Sequence, residues 1–207
     1  MLVWARTRGE QIFGAAHPEW AAVLNQLAVL YQHQGRYGQA ENLFQQTLAI
    51  REQAFGPVHL DVATSLNNLG MLYSDQGRYK QAEALFERAL AIRERVLGPE
   101  HPQVAITLNN LARQCHLQGE YEQAEALFQR SLAIREQALG SEHPSVATTL
   151  NNLGYLAYDQ GKYEQAEVRH QRALRIRERM LGSEHSHVAL SCHNLALVMN
   201  FNFLSGI

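Results

Sequence analysis

The segment Leu66-Asn67-Asn68-Leu69-Gly70-Met71-Leu72-Tyr73 recurs when the chain is shifted by 42 residues in either direction. Leu108-Asn109-Asn110-Leu111 and Leu150-Asn151-Asn152-Leu153 follow it, and Leu24-Asn25-Gln26-Leu27 precedes it. His17, His59, His101, His143 and His185 mark one point in five successive copies. A period of this length signals a repeat architecture, in which each unit buries its apolar faces only by stacking on its neighbours.

Within a copy, Ala63, Leu66, Leu69, Gly70 and Tyr73 fall on one face of a helix. Gly77 breaks that helix, as do Gly35, Gly119 and Gly161 at the same register. A second, longer apolar stripe runs through Tyr79, Ala82, Leu85, Phe86, Ala89, Leu90, Ile92 and Leu97 and stops at Gly98. Pro18, Pro102 and Pro144 suit the first turn of the following helix, where a missing N–H costs nothing. Ala28, Gly70, Ala112, Gly154 and Ala196 share one register of the first helix, so the two helices are expected to approach closely as an antiparallel hairpin. The expected fold is all-α, a right-handed α-solenoid of such hairpins. Repeats cover residues 17–58, 59–100, 101–142 and 143–184. Residues 1–16 read as the remnant of a preceding second helix, because Glu10, Phe13 and Gly14 align with Glu52, Phe55 and Gly56. Residues 185–207 read as the first helix of a fifth copy plus a tail that leaves the pattern near Asn200. One solenoid domain that starts and stops mid-repeat is the expectation.

The formal charge of −2 over 207 residues argues against a nucleic-acid footprint. Of the 18 basic residues only Lys80 and Lys162 are lysine. Arginine's flat fork suits carboxylates, so the bias points weakly to acidic partners. No window is apolar for long enough to span a membrane, and no secretory signal opens the chain. Cys115 and Cys192 occupy unrelated registers, make neither a disulfide nor a metal pattern, and read as small buried hydrophobes. A cytoplasmic location is expected.

Leu66-x2-Leu69-Gly70-x2-Tyr73 followed by Ala82-x3-Phe86-x2-Ala89 resembles the tetratricopeptide repeat, with leucine in place of its usual first tryptophan. The longer period, the Leu-Asn-Asn-Leu core and the Ala-Ile-Arg-Glu segment are similar to kinesin light chain repeats and their bacterial relatives. The resemblance implies a non-catalytic scaffold that holds an extended peptide or protein segment on the concave face of its first helices. For kinesin light chains it implies acidic, aromatic peptides there. Nothing here resembles the coiled coil that ties a light chain to its motor.

Asn25, Asn67, Asn109 and Asn151 share one first-helix register, and Asn68, Asn110, Asn152 and Asn194 share the next. Asparagine is a mediocre helix former, so pairs of it kept mid-helix work against local preference. An amide both donates and accepts, and a ladder of amides suits the backbone of an extended peptide. The same amides equally suit pairing between neighbouring repeats. Beyond them lie positions that vary between copies. Arg113, His116, Tyr155 and Tyr158 are the candidate discriminators of a partner, against the alternative of a plain solvated face. Arg51, Arg93, Arg135 and Arg177 recur near the second helices' ends. They read either as cations at the groove edge or as helix C-terminal charges beside Glu52, Glu94, Glu136 and Glu178. The periodic histidines lie a whole repeat apart and gather no metal site, which leaves a helix-boundary role. No nucleophile, carboxylate pair or phosphate loop points to an enzyme, and no cofactor is expected.

Val188, Leu190, Leu195, Leu197, Val198 and Met199, with Phe201, Phe203 and Leu204, predict an uncovered apolar stripe at the end. With Leu2, Val3, Trp4, Ile12 and Phe13 at the start, self-association through the termini follows as an expectation. Two alternatives to the peptide scaffold stand: an assembly unit without a groove ligand, and the regulatory repeat region of a larger signalling protein.

Overall fold

The computed structural model describes residues 17–205, with side chains as far as residue 199. The expected remnant in residues 1–16, and the side chains of Phe201, Phe203 and Leu204, lie outside the described residues. Among the described residues there are nine α-helices and no strand. Contacts divide the chain into two units, residues 1–99 and 100–207. The first holds α1 (Pro18–His33), α2 (Tyr37–Phe55), α3 (Leu60–Asp75) and α4 (Tyr79–Leu97). The second holds α5 (Pro102–Leu117), α6 (Tyr121–Leu139), α7 (Pro144–Asp159), α8 (Tyr163–Leu181) and α9 (Ser186–Ser205). In both, consecutive helices pack as hairpins. The all-α hairpin class expected from the repeat is what the chain adopts.

The periodic histidines are helix caps. The Nδ1 of His17, His59, His101, His143 and His185 accepts the backbone N–H two residues on, at 3.1 to 3.2 Å. An accepting Nδ1 carries no proton, so each cap holds its ring with that nitrogen bare. The first helices end at a glycine. Gly77 has φ 73°, which lets Arg78 N–H reach back to Tyr73 O at 2.8 Å and close the helix end. Register 203, where this glycine would fall in α9, holds Phe203, and α9 runs on to Ser205. The expected departure near Asn200 is thus a helix continued for want of its terminator.

Each hairpin closes on a small residue facing a ring. A Cβ on Gly70 would stand 2.9 Å from the Phe86 ring, and one on Gly154 would stand 2.6 Å from His170. Phe44, Phe86, Phe128 and His170 share this register and are buried. Around them the core comes in layers: Val62, Ala63, Leu66, Ala89 and Ile92 in the first unit, and Val146, Ala147, Leu150, Ala173 and Ile176 in the second. Cys115 is buried in such a layer with Ala112, Phe128 and Leu156, as expected. Cys192 is exposed, a correction to its expected burial. Its register partner Leu150 is covered by Ala173 and Ile176 of α8, whereas no helix follows α9 among the described residues to cover Cys192. The apolar stripe of α9 divides likewise. Val188 and Val198 are buried, while Leu190, Leu197 and Met199 are about half exposed.

Gly154→Ala drives a methyl into the His170 ring, and urea unfolding is expected to show a loss of about 1–3 kcal/mol. An unchanged midpoint would mean the hairpin has slack at this contact.

Candidate functional site

The asparagines form links between successive first helices. In the first unit Asn68 Nδ2 donates to Asn25 Oδ1 at 2.9 Å, and Asn67 is buried. In the second, Asn152 Nδ2 donates to Asn109 Oδ1 at 3.1 Å and Asn194 Nδ2 to Asn151 Oδ1 at 2.8 Å. Asn109, Asn151 and Asn194 are buried, and Asn110 is half-buried. The helix periodicity that puts these residues next to the apolar face makes them its polar border, where neighbouring helices can meet through amides. Of the two roles open to the ladder, pairing between repeats is made in the structure.

Arg51, Arg93, Arg135 and Arg177 are 4 to 8% exposed, which corrects their reading as groove-edge cations. Three of them reach from a second helix into the start of the next first helix. Arg51 Nη1 donates to Asp61 O and Ser65 Oγ, at 3.1 and 2.9 Å. Arg135 Nη1 donates to Ser145 O and Thr149 Oγ1, at 2.7 and 2.8 Å. Arg177 Nη1 donates to His187 O and Ser191 Oγ, at 3.4 and 2.6 Å. Burial pulls the Arg135 guanidinium down to about 10, still charged at neutral pH. The glutamates expected beside these arginines turn elsewhere: Glu52 pairs with Arg88, and Glu136 with Arg172, each at 2.5 Å.

Of the variable positions, Arg113 on α5 is exposed. His116 Nε2 lies 2.7 Å from Asp159 Oδ2, a bridge between α5 and α7 that Gln32 and Asp75 repeat in the first unit at 2.6 Å. Tyr155 is 36% exposed and its hydroxyl donates to Asn194 Oδ1 at 2.5 Å. Tyr158 meets Tyr163 edge to face, with ring centroids 5.4 Å apart.

The structure brings Tyr155, Tyr158 and Asn194 together around a residue that sequence reasoning missed. His170, with Asp159, Leu197 and Val198, joins them in lining a cavity of about 210 Å³ between α7, α8 and α9. The signal was present in the sequence, since His170 stands where Phe44, Phe86 and Phe128 stand. Its Nδ1 lies 3.1 Å from Asn151 Oδ1, and its ring meets Tyr155 edge to face at 5.3 Å. Burial first, then Arg177, pushes the imidazole down to about 4, so it is neutral at physiological pH.

A tetratricopeptide repeat family profile matches residues 19–95, 61–137, 103–179 and 145–200. The chain belongs to the tetratricopeptide repeat family. Members are in general non-enzymatic interaction scaffolds that bind protein partners. Among solved structures, it is similar to BtubC (BKLC) from P. vanneervenii, at 26% identity and TM-score 0.79 over 96% of this chain and 79% of that one. A Podosopora anserina kinesin light chain with nearly identical TPR-like repeats is 28% identical, with TM-score 0.75 over 91% of this chain and 89% of that one. Aspartyl phosphate phosphatase F from Bacillus subtilis, at 17% identity and TM-score 0.73 over 87% of this chain and 45% of its own, shares the fold. A comparison with curated proteins gives no match. No described helix is long and apolar enough to cross a membrane.

Two outcomes test this geometry. Arg135→Ala should lower stability by about 1.5–3 kcal/mol in urea unfolding, the worth of a charged hydrogen bond, with Arg135→Lys recovering only part. A cation serving a surface groove would leave the midpoint unmoved. Second, unfolding frees His170 to bind a proton near its ordinary 6.5 that the folded chain refuses until about 4. Its share of stability is therefore whole above pH 6.5 and falls away between about 6.5 and 4, by up to about 3 kcal/mol. His170→Phe should lose less stability than the parent when both are titrated from pH 7 to pH 4; parallel curves would show an imidazole open to water.

Proposed function

We propose that this chain is a non-catalytic, cytoplasmic scaffold whose first helices present a binding face to an extended peptide or protein segment. The observation that carries this is a set of side chains left exposed on the first helices. On α5, Ile106, Arg113 and Leu117 are exposed at spacings of seven and four residues, which place them on one helical face. Tyr155 of α7 and Leu197 of α9 follow at the Arg113 register, also exposed. In the first unit, Met71 of α3 occupies that register and is exposed too. Apolar groups left in water on one face, with a cation among them, suit a partner that is both aromatic and acidic.

The similarity to kinesin light chain repeats supports a protein partner. Asn25, Asn67, Asn68, Asn109, Asn110, Asn151, Asn152 and Asn194 contribute in this reading by fixing the spacing of the face. Amide capacity left over from the links would meet the peptide backbone. Arg113 takes a carboxylate, Tyr155 and Tyr158 receive an aromatic side chain, and His116 is held by Asp159 at the border. Two free cysteines, one of them exposed, fit a reducing compartment. A second reading, self-association through α9, is favoured by the exposure of Leu190, Cys192, Leu197 and Met199.

Fluorescence polarisation of short acidic, aromatic peptides at two salt concentrations is the test. Binding should weaken at high salt, and Arg113→Ala should weaken it by about 1 kcal/mol, roughly fivefold, while removing most of the salt dependence. No binding across the set, with a mass that rises with concentration in light scattering, would overturn the peptide face in favour of self-association.

A further inference from the structure

We infer that the cleft between α8 and the turn leading into α7 is a docking site for a phosphate monoester carried on a side chain of a partner protein. Its volume is about 210 Å³, and Glu142, Arg172, Arg175, Ile176 and Arg179 line it. The three arginines follow one another at spacings of three and four residues along α8, which puts them on one helical face. Three cations to one carboxylate make the walls positive. None of these residues belongs to the first-helix face described above, so the site is independent of it.

The repeat separates what the architecture needs from what this cleft adds. Arg172 Nη2 donates to Glu136 Oε1 at 2.5 Å, and Arg88 makes the same bond to Glu52 in the first unit. That pair belongs to the scaffold. Arg175 does not, because Ala49, Ala91 and Ala133 stand at its register. It is exposed, and among the described residues it makes no hydrogen bond or ion pair. Arg179 Nη1 donates to Glu142 Oε2 at 3.1 Å, at a register that holds Val58 in the first unit. Like charges one turn apart repel and weaken a helix, and an anion seated among them removes that repulsion.

A guanidinium carries five N–H donors, of which Arg172 and Arg179 use one each here and Arg175 none. The donors left over suit an acceptor with several oxygens and more than one negative charge. A carboxylate has two oxygens and one charge, which Glu136 and Glu142 already supply. A phosphate monoester brings three strong acceptor oxygens and close to two charges at neutral pH, and planar forks meet such oxygens in pairs. Water takes about 30 Å³ in the liquid, so the cleft has room for the phosphate and the first carbon of its side chain.

The experiment titrates the full chain with N-acetyl-O-phosphoserine methylamide, with its N-acetylglutamate counterpart and with inorganic phosphate, by NMR of the arginine Nε–H groups. The Arg175 signal, assigned by its loss in Arg175→Ala, should move with the phosphoserine probe and saturate at millimolar concentration. The glutamate probe should bind roughly fivefold more weakly. Arg175→Ala should weaken the phosphoserine probe about tenfold, and Arg175→Lys, which keeps the charge and loses the fork, should recover only part. Alanine at this register in three sister repeats makes an unchanged urea midpoint the expectation for Arg175→Ala. A glutamate probe bound as tightly, an unmoved Arg175 signal, or undiminished binding by Arg175→Ala would each overturn the site. Inorganic phosphate bound more tightly than the phosphoserine probe would overturn the docking of a partner in favour of a free anion. Arg113→Ala should leave all of these readouts unchanged, so the cleft and the first-helix face fail separately.

Discussion

The contact on which everything else depends is that between a ring on the second helix and a bare stretch of the first. Where Gly70 faces Phe86 and Gly154 faces His170, there is no room for a further carbon without displacement. Helix axes held that close leave each hairpin thin, and a thin hairpin has too little interior to stand alone. Its remaining apolar surface has to be covered by the next hairpin, so the layered cores of both units follow from this pairing. The buried arginines and the amide links then fix how one hairpin sits on another within a unit. Buried polar groups of this sort act by geometry, since a misplaced neighbour would leave them without partners.

Much of this was legible in the chain because the repeat supplies its own controls. The 42-residue period, both helices, the glycine breaks and the small first-helix register could be read from recurrence and helical spacing alone. What could not be read was the third dimension of residues whose chemistry fits two environments. Arg135 looks the same in sequence whether its guanidinium reaches water or the hydroxyl of Thr149. Asn151 offers identical groups to a peptide or to Asn194, and only the placement of successive helices shows that it meets Asn194 and His170. Cys192 was misjudged for a different reason: its register predicts burial only where a second helix lies over it.

Departures from the repeat carry more functional information than the repeat itself. A position kept in every copy is explained by packing that every copy shares. His170 breaks a run of phenylalanines and brings a hydrogen-bonding group to the centre of a hairpin. Arg113 and Tyr155 vary at a register that packing leaves exposed. The scaffold fixes where such residues stand, and their identity sets what they meet.

The link from Asn25 to Asn68 spans 43 residues, as do those from Asn109 to Asn152 and from Asn151 to Asn194. The staple from Arg51 reaches 10 and 14 residues onward, and those from Arg135 and Arg177 do the same. Every one of these bonds is written as a relative address. Copying or deleting a 42-residue cassette therefore restores the same donors opposite the same acceptors at the new joint, without any compensating change elsewhere. An unequal crossover in the gene yields a longer or shorter array whose seams are already furnished. Length is in this sense a free variable of the architecture, and a lineage can tune the reach of its binding face by whole repeats while each seam keeps its chemistry.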